Sequence, residues 1–363
     1  MSNKLLNMNY GPRVFLVLLI TVLLTGINGL IAFILLITFS NSKKARDPNI
    51  KHGLSSGNSR LGGLAIFLSI IISYCFHLLF LEDFNLSLLL SKIDHIIVIS
   101  FLIGAIGLIE DFSQNLSSMI RLISMMLIVT ASFYFIPDLI PSNLLLFDIL
   151  YANNLGLIAL IISVVMVCGF INAGNMADGA NGLLASIFFF FFMIAYSLDN
   201  SVFNFSVLIS LLAFIIFNVS TGKIFLGDFG SYSLSALVAF KCLEFYSVTD
   251  ISVFFMASIL IYPCFEISRS LLIRTIRNTS VLTPDNNHLH NYLNSLFLNF
   301  GLTKHISNSI TGLGIAFSTS IIPIMLFFSG VSINSELWKM LFLIELIMLT
   351  FIYILFEKNS QGN

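Results

Sequence analysis

Polar side chains that could hold phosphate groups and a divalent cation occur in short segments of an otherwise apolar chain. In FINAGNMADGANGLLAS, Asn172, Asn175 and Asp178 are spaced three residues apart, so on a helix they would lie along one face. Asn181 follows, and the intervening glycines let a ligand approach the backbone closely. Polar side chains are costly beside membrane helices, and these lie between two apolar runs, which indicates a site.

A second segment, STGKIFLGDFGSYSLS, places Asp228 between Gly227 and Gly230. Ser231 has the residue type of a helix N-cap, and we expect the next helix to open there. Carboxylate and carbonyl oxygens at a tight turn suit Mg²⁺, which usually takes one or two carboxylates together with substrate phosphates. Taken alone, this pattern is more typical of an ordinary capped turn, and it indicates a site only together with the Asn-rich segment.

A third segment, RTIRNTSVLTPDNNHLHNYL, holds Asp285, His288 and His290 and lies close to three arginines, Arg269, Arg274 and Arg277. The H-x-H pair has no third soft ligand nearby, so zinc is not favoured. Arginine and protonated histidine match phosphate oxygens better. The alternative is a solvated basic loop.

Two adjacent carboxylates, Glu110 and Asp111, end the third apolar run and are followed by Arg121. Adjacent carboxylates repel each other unless a cation or water screens them, so they are either part of a charged site or a solvated helix end. The first loop, KKARDPNIKHGLSSGNSRLGGLAIF, is basic and then rich in glycine at Gly62 and Gly63. It could be part of the same site or a positively charged membrane anchor.

The elements that must position these residues are transmembrane helices. Hydrophobic residues make up 57% of the chain and charged residues only 10%, against about 25% in soluble domains. Mean hydropathy is +0.98. The net charge of −1 gives no basic field for nucleic acid. The four cysteines lie in apolar runs without a C-x-x-C pair, so they predict neither disulfides nor zinc.

Eleven apolar runs predict an all-α, polytopic membrane protein with one integral membrane domain over residues 1–363. Most runs reach the roughly 17–25 residues that a helix needs to cross the bilayer. They cover about 14–40, 62–81, 94–109, 119–136, 156–174, 183–198, 202–219, 231–248, 251–272, 308–330 and 337–356. Residues 137–155 between them predict an external amphipathic piece.

Lysine and arginine set the predicted orientation. With the N-terminus outside and the C-terminus in the cytoplasm, twelve of these residues fall on the cytoplasmic side and four outside. Lys241 is left inside the eighth run, where it should face the bundle interior or extend toward the membrane surface. All the polar segments then fall in cytoplasmic loops, at about 41–61, 110–119, 172–182, 220–230 and 273–307.

The order of these loops resembles the polyprenyl-phosphate N-acetylhexosamine-1-phosphate transferases along nearly the whole chain. The stretches that carry the resemblance are NAGNMADGANGL, IFLGDFGS and PDNNHLH. The resemblance implies transfer of N-acetylhexosamine-1-phosphate from a UDP-sugar to undecaprenyl phosphate, with release of UMP. It also implies Mg²⁺, which Mn²⁺ could replace, and an active site on the cytoplasmic face of the bacterial inner membrane. UDP-sugar, polyprenyl phosphate and the bilayer would be the partners, without nucleic acid, and a homodimer is a further expectation.

The resemblance also assigns residue roles by motif. Asn175 and Asp228 would be metal ligands, and Asp111, with Glu110 beside it, would orient or deprotonate the lipid phosphate. Asp178 and Asn181 would face the nucleoside or the sugar. His288, His290 and nearby arginines would hold pyrophosphate. The catalytic set is thus Glu110, Asp111, Asp178 and Asp228, and the substrate-binding set is Asn172, Asn175, Asn181, Arg121, Asp285, His288 and His290.

Two departures from the family pattern matter. The family usually has Asp where Glu110 stands, so a direct role for Glu110 is open. Asn181 and HLHN differ from the branch that makes the first lipid intermediate of peptidoglycan, and favour the enzymes that start O-antigen, enterobacterial common antigen, teichoic acid or capsule. The alternatives are the peptidoglycan-type transferase, a lipid-linked sugar transporter or flippase, and an inactive scaffold.

Overall fold

The computed structural model describes residues 12–42, 45–46, 57–81, 95–141, 143–146, 150–153, 156–248, 251–280 and 287–361. Within these residues the chain forms thirteen α-helices. They are α1 (Pro12–Ser40), α2 (Gly62–Leu81), α3 (His95–Ser113), α4 (Ser118–Phe135), α5 (Leu157–Ala177), α6 (Leu183–Leu198), α7 (Val202–Thr221), α8 (Gly227–Val248), α9 (Val253–Ile259), α10 (Ile261–Ile276), α11 (Leu289–Asn299), α12 (Lys304–Phe328) and α13 (Leu337–Gln361).

One segment departs from the expected all-helical fold. After a 3₁₀ turn at Pro137–Leu139, strands β1 (Asn143–Leu146) and β2 (Leu150–Asn153) pair as an antiparallel hairpin. Pro137 and Pro141 interrupt helix formation here, because proline lacks the backbone N–H that a helix interior needs. The piece predicted over residues 137–155 is therefore a turn and a hairpin in its described part.

Each of the eleven predicted apolar runs contains one helix or, in one case, a bent pair of helices. By length and composition, seven helices in the described ranges are able to cross a membrane, and the bent pair would make eight. Large apolar side chains remain exposed on six of the seven, among them Leu23, Leu127 and Ile347, as lipid contact requires. The chain is thus a multi-pass membrane protein, and the number of eleven crossings stays a prediction.

The ninth apolar run is broken rather than continuous. Helices α9 and α10 meet at an angle of 88° about Leu260. Pro263 lies in the first turn of α10, where the missing proline N–H disrupts no helical hydrogen bond. The bend brings the polar residues of α10 next to α11, which occupies part of the loop predicted over residues 273–307.

Helix α8 packs against α2, α3 and α5, and small residues allow close contact. A Cβ on Gly63 would lie 2.0 Å from the Cα of Gly230, and one on Gly107 would lie 2.3 Å from the carbonyl oxygen of Asp228. Only glycine permits these distances, which are typical of tightly packed membrane helices. Farther along α8, Lys241 is buried and pairs with Glu244 at 2.6 Å, so Lys241 faces the interior.

The polar loops contact one another on one face of the helix bundle. Ser59 in the first loop accepts a hydrogen bond from the backbone N–H of Phe225 in the fourth, at 2.7 Å. Asp111 at the second loop binds the fourth as well, and Ser231 of the fourth contacts Asn175 of the third. Contacts among the loops therefore bring the candidate residues together.

One predicted boundary is wrong. Helix α8 begins at Gly227, so Ser231 lies inside its first turns and is not the N-cap. The carboxylate of Asp111, from α3, accepts the hydrogen bonds that an N-cap side chain would otherwise accept. The Ser231 hydroxyl donates to Asn175 Oδ1 at 2.8 Å instead.

Candidate active site

The first part of the site is the N-terminus of α8, which binds the carboxylate of Asp111. Asp111 is fully buried, and its two oxygens accept the backbone N–H groups of Asp228 and Phe229 at 3.0 and 2.9 Å. A helix N-terminus carries partial positive charge, so it stabilises a carboxylate. Gly227 has φ +75°, and a Cβ there would clash with the carbonyl oxygen of Arg60. The turn therefore requires glycine.

Asp228 is the residue after Gly227, and its carboxylate lies at the edge of the same helix terminus. Arg60 Nη2 lies 2.9 Å from Asp228 Oδ1, and Arg121 Nη1 lies 3.4 Å from Oδ2. Arg60 also reaches Asp111 with Nε at 3.2 Å, and Arg121 donates to the hydroxyl of Tyr232 at 3.1 Å. Two carboxylates and two guanidinium groups thus share one cluster, in which each charge is compensated.

The end of α5 supplies oxygen and amide groups beside this cluster. The Ser231 hydroxyl donates to Asn175 Oδ1 at 2.8 Å and also lies 3.3 Å from the backbone carbonyl oxygen of Asp228. Asp178 caps the end of α5 and is half-buried. Burial, and then the negative charge of Asp228, raise the pKa of Asp178 to about 7, against the opposing effect of Arg60. The carboxylates of the third and fourth loops therefore influence each other.

The histidine pair enters the site from α11. His288 and His290 are buried, and their rings stack with centroids 5.2 Å apart. His290 Nε2 lies against Gly179, where an added Cβ would come within 1.9 Å of it. The fifth loop is thus in contact with the third, next to Asp178.

Several predicted residues lie in one site, and others have different contacts. Asp111, Asp228, Arg121, Asn175, Asp178, His288 and His290 occupy the loop face described above. Glu110 accepts the backbone N–H of Leu116 at 2.8 Å, and Asn172 donates to the carbonyl of Cys168 at 2.8 Å, within its own helix. Asp285 lies outside the described residues.

Asn181 connects the third loop to α12. Its backbone N–H donates to Asn308 Oδ1 at 2.8 Å, and its side-chain amide donates to Ser309 at 3.2 Å. A Cβ on Gly312 would meet the Asn181 carbonyl at 2.0 Å, so the loop lies tightly on this helix. These contacts give Asn181 a role in holding the loop, and a role toward substrate stays a prediction.

Sequence reasoning missed several residues of this face. Arg60 bridges the two aspartates, and Tyr232 contacts Arg121. Tyr262 and Glu266 are hydrogen-bonded to each other, and Glu266 contacts His288. Arg60 lies two residues before the Gly62–Gly63 pair, and Glu266 is an acid in an apolar run, so both had a signal. Tyr232 and Tyr262 had none, because a single tyrosine in an apolar run can equally pack as an ordinary aromatic side chain.

The residues fit a magnesium ion that is completed by phosphates. Asp228 offers a carboxylate, and Asn175 offers an amide oxygen that accepts from Ser231, whose hydroxyl also lies near the backbone carbonyl of Asp228. In the described part of the chain, no group of three or more His, Cys, Asp or Glu side chains forms a protein-only metal cage. Mg²⁺ commonly uses one or two carboxylates and takes its other ligands from water and phosphate, so this donor set is adequate.

Known proteins with similar sequences identify the family. The profile of glycosyl transferase family 4 matches residues 94–246. A phospho-N-acetylmuramoyl-pentapeptide-transferase of Oceanobacillus iheyensis is 32% identical over 245 residues, which are 61% of this chain and 71% of the relative. The chain belongs to glycosyl transferase family 4. The matched region of this family 4 protein runs from the start of α3 nearly to the end of α8, so it includes Asp111, Asn175 and Asp228.

Two further relatives cover different lengths of this family 4 protein. A probable undecaprenyl-phosphate N-acetylglucosaminyl 1-phosphate transferase of Bacillus subtilis is 28% identical over 323 residues, 84% of this chain and 81% of the relative. A phospho-N-acetylmuramoyl-pentapeptide-transferase of Shouchella clausii is 31% identical over 233 residues, 58% of this chain and 67% of the relative. The likeness therefore extends to both kinds of transferase.

Proposed function

We propose that this protein transfers N-acetylhexosamine-1-phosphate from a UDP-sugar to undecaprenyl phosphate and releases UMP, which starts the synthesis of an envelope glycan. The observation that carries the proposal is the cluster of Asp111, Asp228, Arg60 and Arg121 at the start of α8. Such a cluster suits phosphoryl transfer, in which positioning and charge neutralisation do most of the catalysis. The similarity to a probable undecaprenyl-phosphate N-acetylglucosaminyl 1-phosphate transferase supports this reaction.

In the proposed reaction, an oxygen of the lipid phosphate attacks the phosphorus that bears the sugar. A new P–O bond forms, the bond from this phosphorus to the UMP oxygen breaks, and UMP leaves with that electron pair. A phosphate monoester has a second pKa near 6, so the nucleophile is already anionic at neutral pH. Asp111 binds two backbone N–H groups and Arg60, and this contact set suits a residue that orients the site better than it suits a base.

Asp228 and Asn175 would hold Mg²⁺, with Mn²⁺ as a substitute. The ion would neutralise charge on the phosphates of the UDP-sugar. The arginines suit the same task, because guanidinium groups bind phosphate oxygens with charge-assisted hydrogen bonds. Arg60 and Arg121 already lie within 3.4 Å of Asp228, so they would meet a phosphate that binds there.

We further propose that the site faces the cytoplasm of a bacterial inner membrane that the chain crosses eleven times. The N-terminus would then lie outside and the C-terminus inside, with twelve Lys and Arg residues on the cytoplasmic side and four outside. UDP-sugars are cytoplasmic, so their site must open there. A homodimer is compatible with this arrangement.

A phospho-MurNAc-pentapeptide transferase is the second candidate, because relatives of that name match the chain. Asn at position 181 and the HLHN sequence depart from the pattern of that branch and favour the N-acetylhexosamine reaction. A transporter would keep ionisable groups available near the midplane. Glu266 instead forms a buried ion pair with Arg269, and buried Lys241 pairs with the partly exposed Glu244, which favours an enzyme.

The experiment is a UMP-release assay. Purified protein is incubated with undecaprenyl phosphate, Mg²⁺ and each of several donors, including UDP-N-acetylglucosamine and UDP-MurNAc-pentapeptide. We expect UMP and a lipid-linked sugar phosphate with an N-acetylhexosamine donor, and no UMP when undecaprenyl phosphate is left out. Absence of UMP with every donor would contradict the proposal, and turnover of the pentapeptide donor alone would favour the second candidate.

A further inference from the structure

Glu266 is a carboxylate that the reaction scheme above does not use. It is fully buried on α10, one of the two helices of the bent pair. Burying a carboxylate is costly unless hydrogen bonds and opposite charge compensate it. The groups that contact the Glu266 carboxylate therefore indicate which residues it positions.

Both oxygens of Glu266 accept hydrogen bonds. Oε2 lies 2.9 Å from His288 Nδ1 and 3.2 Å from Arg269 Nη2. Oε1 accepts the backbone N–H of Leu289 at 2.9 Å and the hydroxyl of Tyr262 at 3.1 Å. One side chain of α10 thus binds the first turn of α11 and the ring of the first histidine.

The contact with Glu266 determines where His288 carries hydrogen. An ionised carboxylate can only accept hydrogen bonds, so a nitrogen 2.9 Å from it must be an N–H. Arg269 Nη2 also lies 3.3 Å from His288 Nδ1, but the guanidinium has only donors and cannot bond to an N–H there. The shorter contact with the carboxylate therefore decides that His288 has its hydrogen on Nδ1.

The same reasoning extends to His290 through Tyr262. The Tyr262 hydroxyl has one hydrogen and lies 3.1 Å from Glu266 Oε1 and 3.0 Å from His290 Nδ1. If the hydrogen pointed to His290, two lone pairs would face each other at Glu266. The hydrogen therefore goes to the carboxylate, and His290 Nδ1–H donates to the tyrosine oxygen.

His290 then has no hydrogen on its other nitrogen. Burial, and then the charge of His288, lower the pKa of His290 to about 3, so the ring is neutral at physiological pH. Nε2 is consequently a hydrogen-bond acceptor, and it lies against Gly179, beside Asp178.

We propose that Glu266 is a positioning residue of the transfer site which, through Tyr262, presents His290 Nε2 as an acceptor for a hydroxyl or N–H group of the UDP-sugar. This inference rests on the proposed function and deepens it. An unprotonated nitrogen and a phosphate oxygen are both acceptors and repel each other. The expectation that His290 binds pyrophosphate as a cation is thereby replaced by recognition of the sugar or the nucleoside.

The first test is the tautomer of His290 in the intact protein, measured by ¹⁵N NMR of protein labelled at its six histidines. The His290 signal is identified as the one that His290→Gln removes. We expect the neutral ring with hydrogen on Nδ1, and we expect it to stay neutral when UDP-N-acetylglucosamine is added. Hydrogen on Nε2, or conversion to the imidazolium upon binding, would overturn the inference.

The second test compares two tyrosine variants of the same buried cluster. Tyr262→Phe removes the group between Glu266 and His290, whereas Tyr353→Phe removes a hydroxyl that binds Arg269 at 3.0 Å and touches neither histidine. Tyr262→Phe should give a mixture of tautomers and raise the KM for UDP-N-acetylglucosamine about tenfold, with a smaller change in kcat. Tyr353→Phe should leave both unchanged, and equal effects of the two variants would overturn the inference.

Binding of UDP and of UDP-N-acetylglucosamine to Tyr262→Phe identifies the group that His290 meets. Weaker binding of both ligands indicates the nucleoside, and weaker binding of the sugar nucleotide alone indicates a hydroxyl or the acetamido N–H of the sugar. Unchanged binding of both would overturn the inference. If the wild type releases no UMP, the proposed function fails, whereas the tautomer measurement still decides the role of Glu266.

Discussion

Asp111 and Asp228 carry the same charge at the same helix terminus, yet their surroundings differ. Asp111 is enclosed and bound by backbone N–H groups, whereas Asp228 lies at the edge of the cluster between two arginines. The first therefore holds the terminus together, and the second is the carboxylate that can exchange an arginine for another cation. Substitutions of the two should differ accordingly.

Replacing Asp111 with Asn should reduce stability as well as turnover. An amide has only one accepting oxygen, so one of the two backbone N–H groups at the start of α8 loses its partner, at a cost of about 1–3 kcal/mol. Thermal unfolding in detergent and UMP release measure the two effects. Glu110→Gln is the control, because a Gln carbonyl can still accept the N–H of Leu116. An inactive Glu110→Gln beside an active Asp111→Asn would contradict these roles.

Asp228→Asn should reduce turnover by about 100-fold or more, while the protein still folds and inserts. The substitution keeps the shape of the side chain but removes the charge that would hold Mg²⁺. UMP release with and without a chelator, and Mg²⁺ binding by calorimetry, check this. Asp199→Asn is a matched control, since Asp199 lies in the turn between α6 and α7 and contacts Asn204. Mg²⁺ binding unchanged in Asp228→Asn would contradict the metal assignment.

At the scale of elements, glycines set how closely the helices around α8 approach. Gly107→Ala would place a Cβ 2.3 Å from the Asp228 carbonyl oxygen and push α3 away from α8. We expect a loss of stability and of activity. Gly169→Ala on α5 is the control, because nothing lies within 4 Å of its Cβ. Alanine there should stabilise the helix by about 0.5–1 kcal/mol, as thermal unfolding would show.

The apolar runs predicted the helices well, because lipid requires long uninterrupted hydrophobic segments. The bend at Leu260 and the start of α8 at Gly227 were not predictable in this way, because tertiary contacts determine both. The site was predictable where polar residues interrupt apolar runs, as at Asp178 and Asp228. Arg60 was counted only as a loop charge, since its bridge joins residues that are distant in the sequence.

At the scale of the whole molecule, the side of the membrane that holds the site is a prediction that can be tested directly. Single cysteines replace exposed residues in a background without the four native cysteines: Asn115 and Thr279 on the loop face, and Asn200 and Ser332 in the connections predicted to be external. An impermeant thiol reagent on intact cells should label Asn200→Cys and Ser332→Cys. The other two should react only after the membrane is opened. The reverse pattern would invert the topology, and labelling of Asn115→Cys but not Thr279→Cys would contradict the even number of crossings predicted between them.

The burial of Asp111 has a consequence for how the protein is made. Its two backbone donors lie 117 and 118 residues farther along the chain. Because synthesis proceeds from the N-terminus, α3 enters the bilayer before the two N–H groups that bind Asp111 have been synthesised. Helix α8 follows only after four more helices have been made. Until then water at the membrane surface must solvate this charge. Docking of α8 therefore removes water from Asp111 at the same moment that it assembles the site, so a nascent chain that stops before Gly227 can be inserted but cannot be active.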